Sequence, residues 1–420
     1  MTEQPIQVAD CVCRYAARLS AATGPGHQVA SPLAAWLLLA LAGPASAGAD
    51  RDALADVLGC DPAAAARSAA GLLARPHPAV ASAAAAWTGG PAEQDEHLRQ
   101  WRDGLPAQVS RGPLPDQAGL DAWAREHTFG LIRRFPVQRT PQLLLVLATA
   151  MATRVSWQTP FDAVPASRLG QASPWASRLT RVLATPPRRP GHEQFIAVTP
   201  DAGDVAVHVA TARDGLAVVS VAAQPEVPAA TALAAAHRIG CQHVAGVQLP
   251  RREPAGLPLG EGPLWLVREE RSAAGPDCTA VLPAWSATSE HDLTAAGLGF
   301  AAAARALLPP GEPWQARQSA MARYTRTGFE AAAVTALAVA LAARPPVIRR
   351  VAELRFGHPY AVVAIATDPA PADGGPAAPD AWRGLPVFSA WVSEPDDTEP
   401  DDTGAPGTAA EPGAITGVRL

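Results

Sequence analysis

The stretch TGFEAAAVTALAVALAARPP, residues 327–346, admits two readings. Taken alone it is a helix, rich in alanine and leucine and stopped by Pro345-Pro346. Taken as a strand from Phe329, it alternates with period two. One face carries Phe329, Ala331, Ala333, Thr335, Leu337, Val339 and Leu341; the other carries Glu330, Ala332, Val334, Ala336, Ala338, Ala340 and Ala342. The rest of the chain decides between them.

The chain has 420 residues, 48% hydrophobic and 17% charged, enough for a sizeable core and compatible with one large domain. It contains no lysine and no asparagine, so all 34 basic residues are arginine. That removes P-loop and Schiff-base lysines and any N-glycosylation acceptor. Residues 393–420 hold seven acids and one arginine, a charge of −6; against the total of −5 this leaves the body at +1. No basic face is implied, so nucleic acid is not an expected partner. The N-terminus has no secretory pattern, which gives a cytoplasmic expectation with secretion as the alternative. The apolar runs 33–42 and 143–152 are too short to cross a membrane. Five cysteines without a framework read as reduced thiols.

Helical periodicity covers 8–22, and Ser31-Pro32 opens a second apolar helix with a cap and a first-turn proline. A short helix runs from about Asp50 to Gly59, and another is expected over 118–135 with Trp123, Ile132 and Phe135 on its apolar positions. The run LLLVLATAMATRVSW from Leu143 is a buried strand or a buried helix; periodicity does not separate them. Strands are expected within 206–221 and a helix over 231–239. The acidic, Pro/Gly-rich segment 394–420 reads as a disordered tail after a domain spanning 1–393. There is no G-x-S-x-G elbow, C-x-x-C pair or H-E-x-x-H helix, so no enzyme activity and no cofactor is expected. His237, Cys241 and His243 have ligand-like spacing but no fourth partner, and read as an ordinary helix end rather than a metal site.

Five fragments in order resemble the serpin pattern. They are the Ser31-Pro32 helix continuing into 48–59; the helix with Trp123, Thr128 and Gly130; the 143–161 segment ending in Trp157, Pro160 and Phe161; LPAWSATSEHDLTAAGLG from Leu282 and Pro283 through Asp292 and Leu293 to Leu298 and Gly299; and 327–346, followed by RFGHPYAVVAI and VFSAWV. The resemblance implies an α+β serpin fold with three β-sheets, about eight to nine helices and an exposed reactive-centre loop. It overrides the helical reading of 327–346.

The resemblance also implies a function. A monomeric serpin-type inhibitor of serine, or alternatively cysteine, proteases is cleaved in the loop. The freed segment then inserts as a new strand and traps the protease. Loop spacing counted to Pro345 places the reactive bond between Ala342 and Ala343, with Leu341 as runner-up. Small and aliphatic residues before it suit an elastase-like or subtilisin-like protease. The hinge is Gly328, Phe329, Glu330, Ala331, Ala332 and Ala333; the sheet-opening region is Ser31, Thr149 and Gln318, with Ala34 beside them. Buried on insertion, Leu337, Val339 and Leu341 contribute about 5–9 kcal/mol. Phe329 stands where inhibitory serpins have a small hydroxyl residue and is expected to cost roughly 1–3 kcal/mol on entering the sheet. Arg326 replaces a usual acid. These departures support the alternative, a non-inhibitory serpin-like binding or scaffold protein.

Overall fold

The computed structural model describes residues 8–140, 143–186, 190–272, 278–312, 314–329, 347–369, 381–398 and 414–419. Among them are eight α-helices and three large sheets. The central sheet has the order Trp285–Asp292, Arg317–Tyr324, Ala414–Arg419, Leu145–Thr153, Val80–Thr88, Val109–Pro113. A seven-stranded sheet is built on Leu216–Ala222, Gly203–Thr211, Tyr360–Ala366 and Pro386–Val392. A second six-stranded sheet contains Trp265–Ser272, Val347–Arg355 and Cys278–Leu282.

The ambiguous apolar run resolves as the fully buried strand Leu145–Thr153. Its two faces enter different cores, as period two requires. Leu145, Leu147 and Met151 join the main core, where the helix Pro32–Ala42 packs against the sheet. Val146, Ala148, Ala150 and Ala152 join a smaller core with Trp87, Trp123 and Phe135. A strand buried on both sides has no polar face to betray its period, which explains why the sequence left the choice open.

Four of the expected helices sit where periodicity puts them, the fourth being Ala229–Val244. The first is Val8–Thr23; the second is Pro32–Ala42, with the Ser31 side chain accepting from the Ala34 N–H; the third, Gly48–Leu58, stops at Gly59 in the left-handed region. The helix 118–135 is corrected to Gln117–Glu126. Phe129 (φ 54°) and Gly130 (φ 82°) turn the chain out of the helix, and Ile132 and Phe135 reach the same core as Trp123 from the segment beyond.

Two further expectations are corrected. The cysteines are not all free: Cys13 in the first helix is disulfide-bonded to Cys241 in the helix Ala229–Val244. That bond takes Cys241 out of any ligand set with His237 and His243. The tail is not without structure over 394–420. The Asp396 N–H donates to the Ala284 carbonyl (2.8 Å), and the Asp397 carboxylate accepts from the N–H of Arg181 (2.8 Å). Residues Ala414–Arg419 then form a strand inside the central sheet. The six residues AITGVR are a β-favouring island with Ile415, Thr416 and Val418, hidden by the acidic composition averaged over the segment.

Candidate functional site

The centre of the molecule is the channel between the strands Leu145–Thr153 and Arg317–Tyr324. These two run parallel to each other, and the strand Ala414–Arg419 lies between them, antiparallel to both. Below the channel is a small buried polar network. The Ser31 N–H donates to Gln318 Oε1 (2.8 Å), and Gln318 Nε2 donates back to the Ser31 carbonyl (2.9 Å). Ser31 Oγ donates to the Val387 carbonyl (2.7 Å), and Thr149 Oγ1 donates to the Ala34 carbonyl (3.0 Å). Ser31, Thr149 and Gln318 are each at most 1% exposed, so an unmade bond here carries its full desolvation cost. The structure thus brings together Ser31, Ala34, Thr149 and Gln318, which the sequence names separately. It also shows what joins the two sheet strands across them: Thr149 and Gln318 are both register partners of Val418.

At the top of the channel the chain leaves Tyr324, turns, and comes back. The Thr325 N–H and Oγ1 both donate to the Gly328 carbonyl (3.0 Å each). Gly328 and Phe329 then pair antiparallel with Ser156 and Val155, the direct continuation of Leu145–Thr153. Trp157 clamps the turn: its Nε1 donates to the Thr325 carbonyl (3.0 Å) and its backbone N–H to the Thr327 carbonyl (3.1 Å). The Phe161 N–H donates to the Arg326 carbonyl (2.9 Å). Trp157, Phe161, Tyr324 and Trp285 form one aromatic cluster, with Tyr324 5.0 Å from Trp157 and 6.1 Å from Trp285.

Phe329 belongs to this cluster. It is 1% exposed and sits edge-on to Trp285 at 6.3 Å. This corrects the expectation that Phe329 is an oversized side chain still to be forced into the sheet: its place is already made, and its burial is already counted in the intact protein. Of the hinge, Gly328 and Phe329 are described; Glu330, Ala331, Ala332, Ala333, Leu341, Ala342 and Ala343 lie outside the described residues.

Two histidines beside the cluster carry no signal in the sequence, because 16 residues separate them. The antiparallel pairing of His192–Thr199 with Gly203–Thr211 brings His192 and His208 together, Nδ1 to Nε2 at 3.2 Å, next to Phe161. Burial holds both well below the ordinary histidine range, His192 at about 4, and the neighbouring His192 lowers His208 further. His192 Nε2 lies 2.7 Å from the Thr159 carbonyl, so that nitrogen carries the proton and Nδ1 faces His208. Among the described residues no group of three or more His, Cys, Asp or Glu is placed to hold a metal ion, and no helix is long and apolar enough to cross a membrane.

No family model matches the chain, and no curated protein matches it. Solved structures do, over nearly its whole length. Native tengpin, a thermophilic serpin, superposes with a TM-score of 0.61 at 11% identity, covering 94% of this chain and 96% of that one. Cleaved serpin 42Da gives 0.57 at 14% identity, covering 96% and 99%. The fold is the serpin fold. Thyroxine-binding globulin in complex with thyroxine also matches, at 0.58 and 12% identity over 94% and 99% of the two chains. Serpins of this range include binders as well as inhibitors and are in general not catalysts, and at these identities the likeness establishes the architecture.

Proposed function

We propose that this serpin is a loop-insertion inhibitor of a protease with small or aliphatic specificity. The observation that carries the reading is the register at the top of the channel. Ser156 pairs with Gly328 and Val155 with Phe329, so partner numbers sum to 484. Continued at that sum, residues 331–339 fall opposite 153–145, the whole length of the strand Leu145–Thr153. Phe329 already faces the main core with Val155, so an inserted strand of period two would direct Ala331, Ala333, Thr335, Leu337 and Val339 to that face. The apolar face read from the sequence is the one this register would bury.

In the proposed reaction the nucleophile of the protease attacks the Ala342 carbonyl carbon, and the amine of Ala343 leaves as a new N-terminus. The acyl bond to Ala342 then travels with the segment as it inserts. Cleavage after Arg344 is disfavoured because Pro345 follows and constrains the leaving side. Incubation with elastase-like and subtilisin-like proteases is expected to give an SDS-stable complex and a fragment beginning at Ala343 or Ala342. A fragment beginning at Pro345 defeats the assignment of the bond. Clipped protein is expected to melt well above intact protein, because insertion adds buried area; equal melting temperatures remove insertion.

One observation favours a second reading, a non-inhibitory binding or scaffold serpin: the position the loop would take is filled. Under that reading the protease yields only clipped product, with no complex and no rise in melting temperature. The Cys13–Cys241 disulfide supports export to an oxidising compartment over a cytoplasmic location. Thiol titration of unreduced, denatured protein is expected to find three free thiols rather than five.

A further inference from the structure

The strand Ala414–Arg419 pairs with Leu145–Thr153 so that partner numbers sum to 567, Thr153 with Ala414 and Ala148 with Arg419. The loop, continued from Gly328–Phe329 along the same strand, sums to 484. The difference is 83, so Ala331 claims the position of Ala414, Thr335 that of Val418, and Ala336 that of Arg419. The other flank gives the same answer independently. Arg317–Tyr324 pairs with the C-terminal strand at a sum of 736, and the Thr325–Gly328 turn, closed at 3.0 Å, fixes the loop on that flank at a sum of 653. The difference is again 83. Two strands meeting in register on both sides compete for one set of backbone partners, position for position.

We propose that the C-terminal strand is a built-in plug: it holds the central position of the sheet in the intact protein, and residues 331–336 take that position only when it leaves. This deepens the loop-insertion reading by naming what the loop must displace. Physically, the plug satisfies the N–H and C=O edges that Leu145–Thr153 and Arg317–Tyr324 turn toward it. Its Ile415, Thr416 and Val418 suit a strand better than the alanines of 331–333. The tethered, uncut loop therefore does not win the position. After cleavage the balance changes in two ways. The free segment offers nine residues along Leu145–Thr153, where the plug offers six. By the same register Thr335, which carries a hydroxyl, would take the place of Val418, which carries none and is the register partner of both Thr149 and Gln318.

The test uses the full chain carrying Gly417→Cys, with alkylation at that position followed by mass spectrometry. In intact protein the new thiol is expected to react at least roughly a hundredfold slower than in a free peptide of the same sequence, as for a sheet-central position. After loop cleavage and a rise in melting temperature it is expected to react at the peptide rate. A second variant, Ser319→Cys/Gly417→Cys, joins register partners. Oxidised, it is expected to be cut by the protease without trapping it and without thermal stabilisation, and reduction restores both relative to unmodified protein under the same reductant. Fast labelling in intact protein overturns the plug. So does stabilisation of clipped protein while position 417 stays protected, since loop and plug would then coexist. Protection before and after cleavage with no stabilisation and no complex keeps the plug as the permanent occupant and removes only the inhibitor reading.

Discussion

Between pH 7 and pH 4.5 the protein is expected to lose most of its stability. His192 and His237 are held at about 4 and His208 well below its ordinary value, in each case first by burial. Above about pH 6.5 all three are neutral both folded and unfolded, and their contribution is fully present. As pH falls below that value the unfolded chain takes up protons that the folded chain refuses until about pH 4. The stabilisation is therefore lost downward through this window, at about 1.4 kcal/mol per pH unit for each histidine and at most about 4 kcal/mol per unit for the three. Against a typical stability of about 5–15 kcal/mol, that places acid unfolding near the lower edge of the window. Surface carboxylates held low by arginines, such as Asp56 beside Arg18, titrate below it and do not blur the result. Denaturant unfolding at a series of pH values measures the slope. His208→Leu is expected to remove one histidine's share of it, with His291 and His358, also lowered by burial, adding to the remainder, and a flat profile from pH 7 to 4.5 defeats the argument.

The place of these histidines gives the slope a functional side. His192 and His208 flank Phe161, which lies 5.7 Å from Tyr324, and the Phe161 N–H holds the Arg326 carbonyl of the hinge turn. Their protonation is therefore coupled to the loss of the packing at the top of the channel, and does not precede it. His237 instead lies 3.4 Å from Ser20 Oγ, between the two helices that the disulfide joins, and reports on that packing alone. Comparing His208→Leu with His237→Leu separates the two contributions.

What was legible in the sequence was whatever local pattern writes down. Ser31-Pro32 announced a helix start because a cap and a first-turn proline act within three residues. Ser31, Thr149 and Gln318 were found by their places in ordered fragments, and the structure joins them in one network. What was not legible depends on pairing between distant segments. The Cys13–Cys241 bond spans 228 residues, and the His192–His208 contact exists only in one hairpin register. The C-terminal strand is hidden for that reason and also by the acidic composition around it. AITGVR is a good strand, but nothing local says that a partner awaits it between Leu145–Thr153 and Arg317–Tyr324. The fit of Phe329 is equally nonlocal: it depends on Trp285 and Val155, far away in the chain.

Phe329→Ala is expected to destabilise the intact protein by about 3–5 kcal/mol, the cost of emptying a buried aromatic site that cannot fully collapse. The site resists collapse because Trp285 and Tyr324 are themselves packed at 1% or less exposure, and Trp157 is held by its bonds to the turn. Phe329→Leu, closer in volume, is expected to cost under about 1.5 kcal/mol. The two substitutions are read by denaturant midpoint at unchanged slope, so that a shift reports stability rather than a changed unfolded state. The same pair separates the two accounts of this residue. If Phe329 were a side chain waiting outside the sheet, shortening it would leave intact protein untouched and would ease insertion after cleavage. Seated as it is, shortening it loosens the Thr325–Phe329 turn in the intact protein. Intact Phe329→Ala protein within about 0.5 kcal/mol of the parent, the range of an exposed position, would return the residue to its first reading.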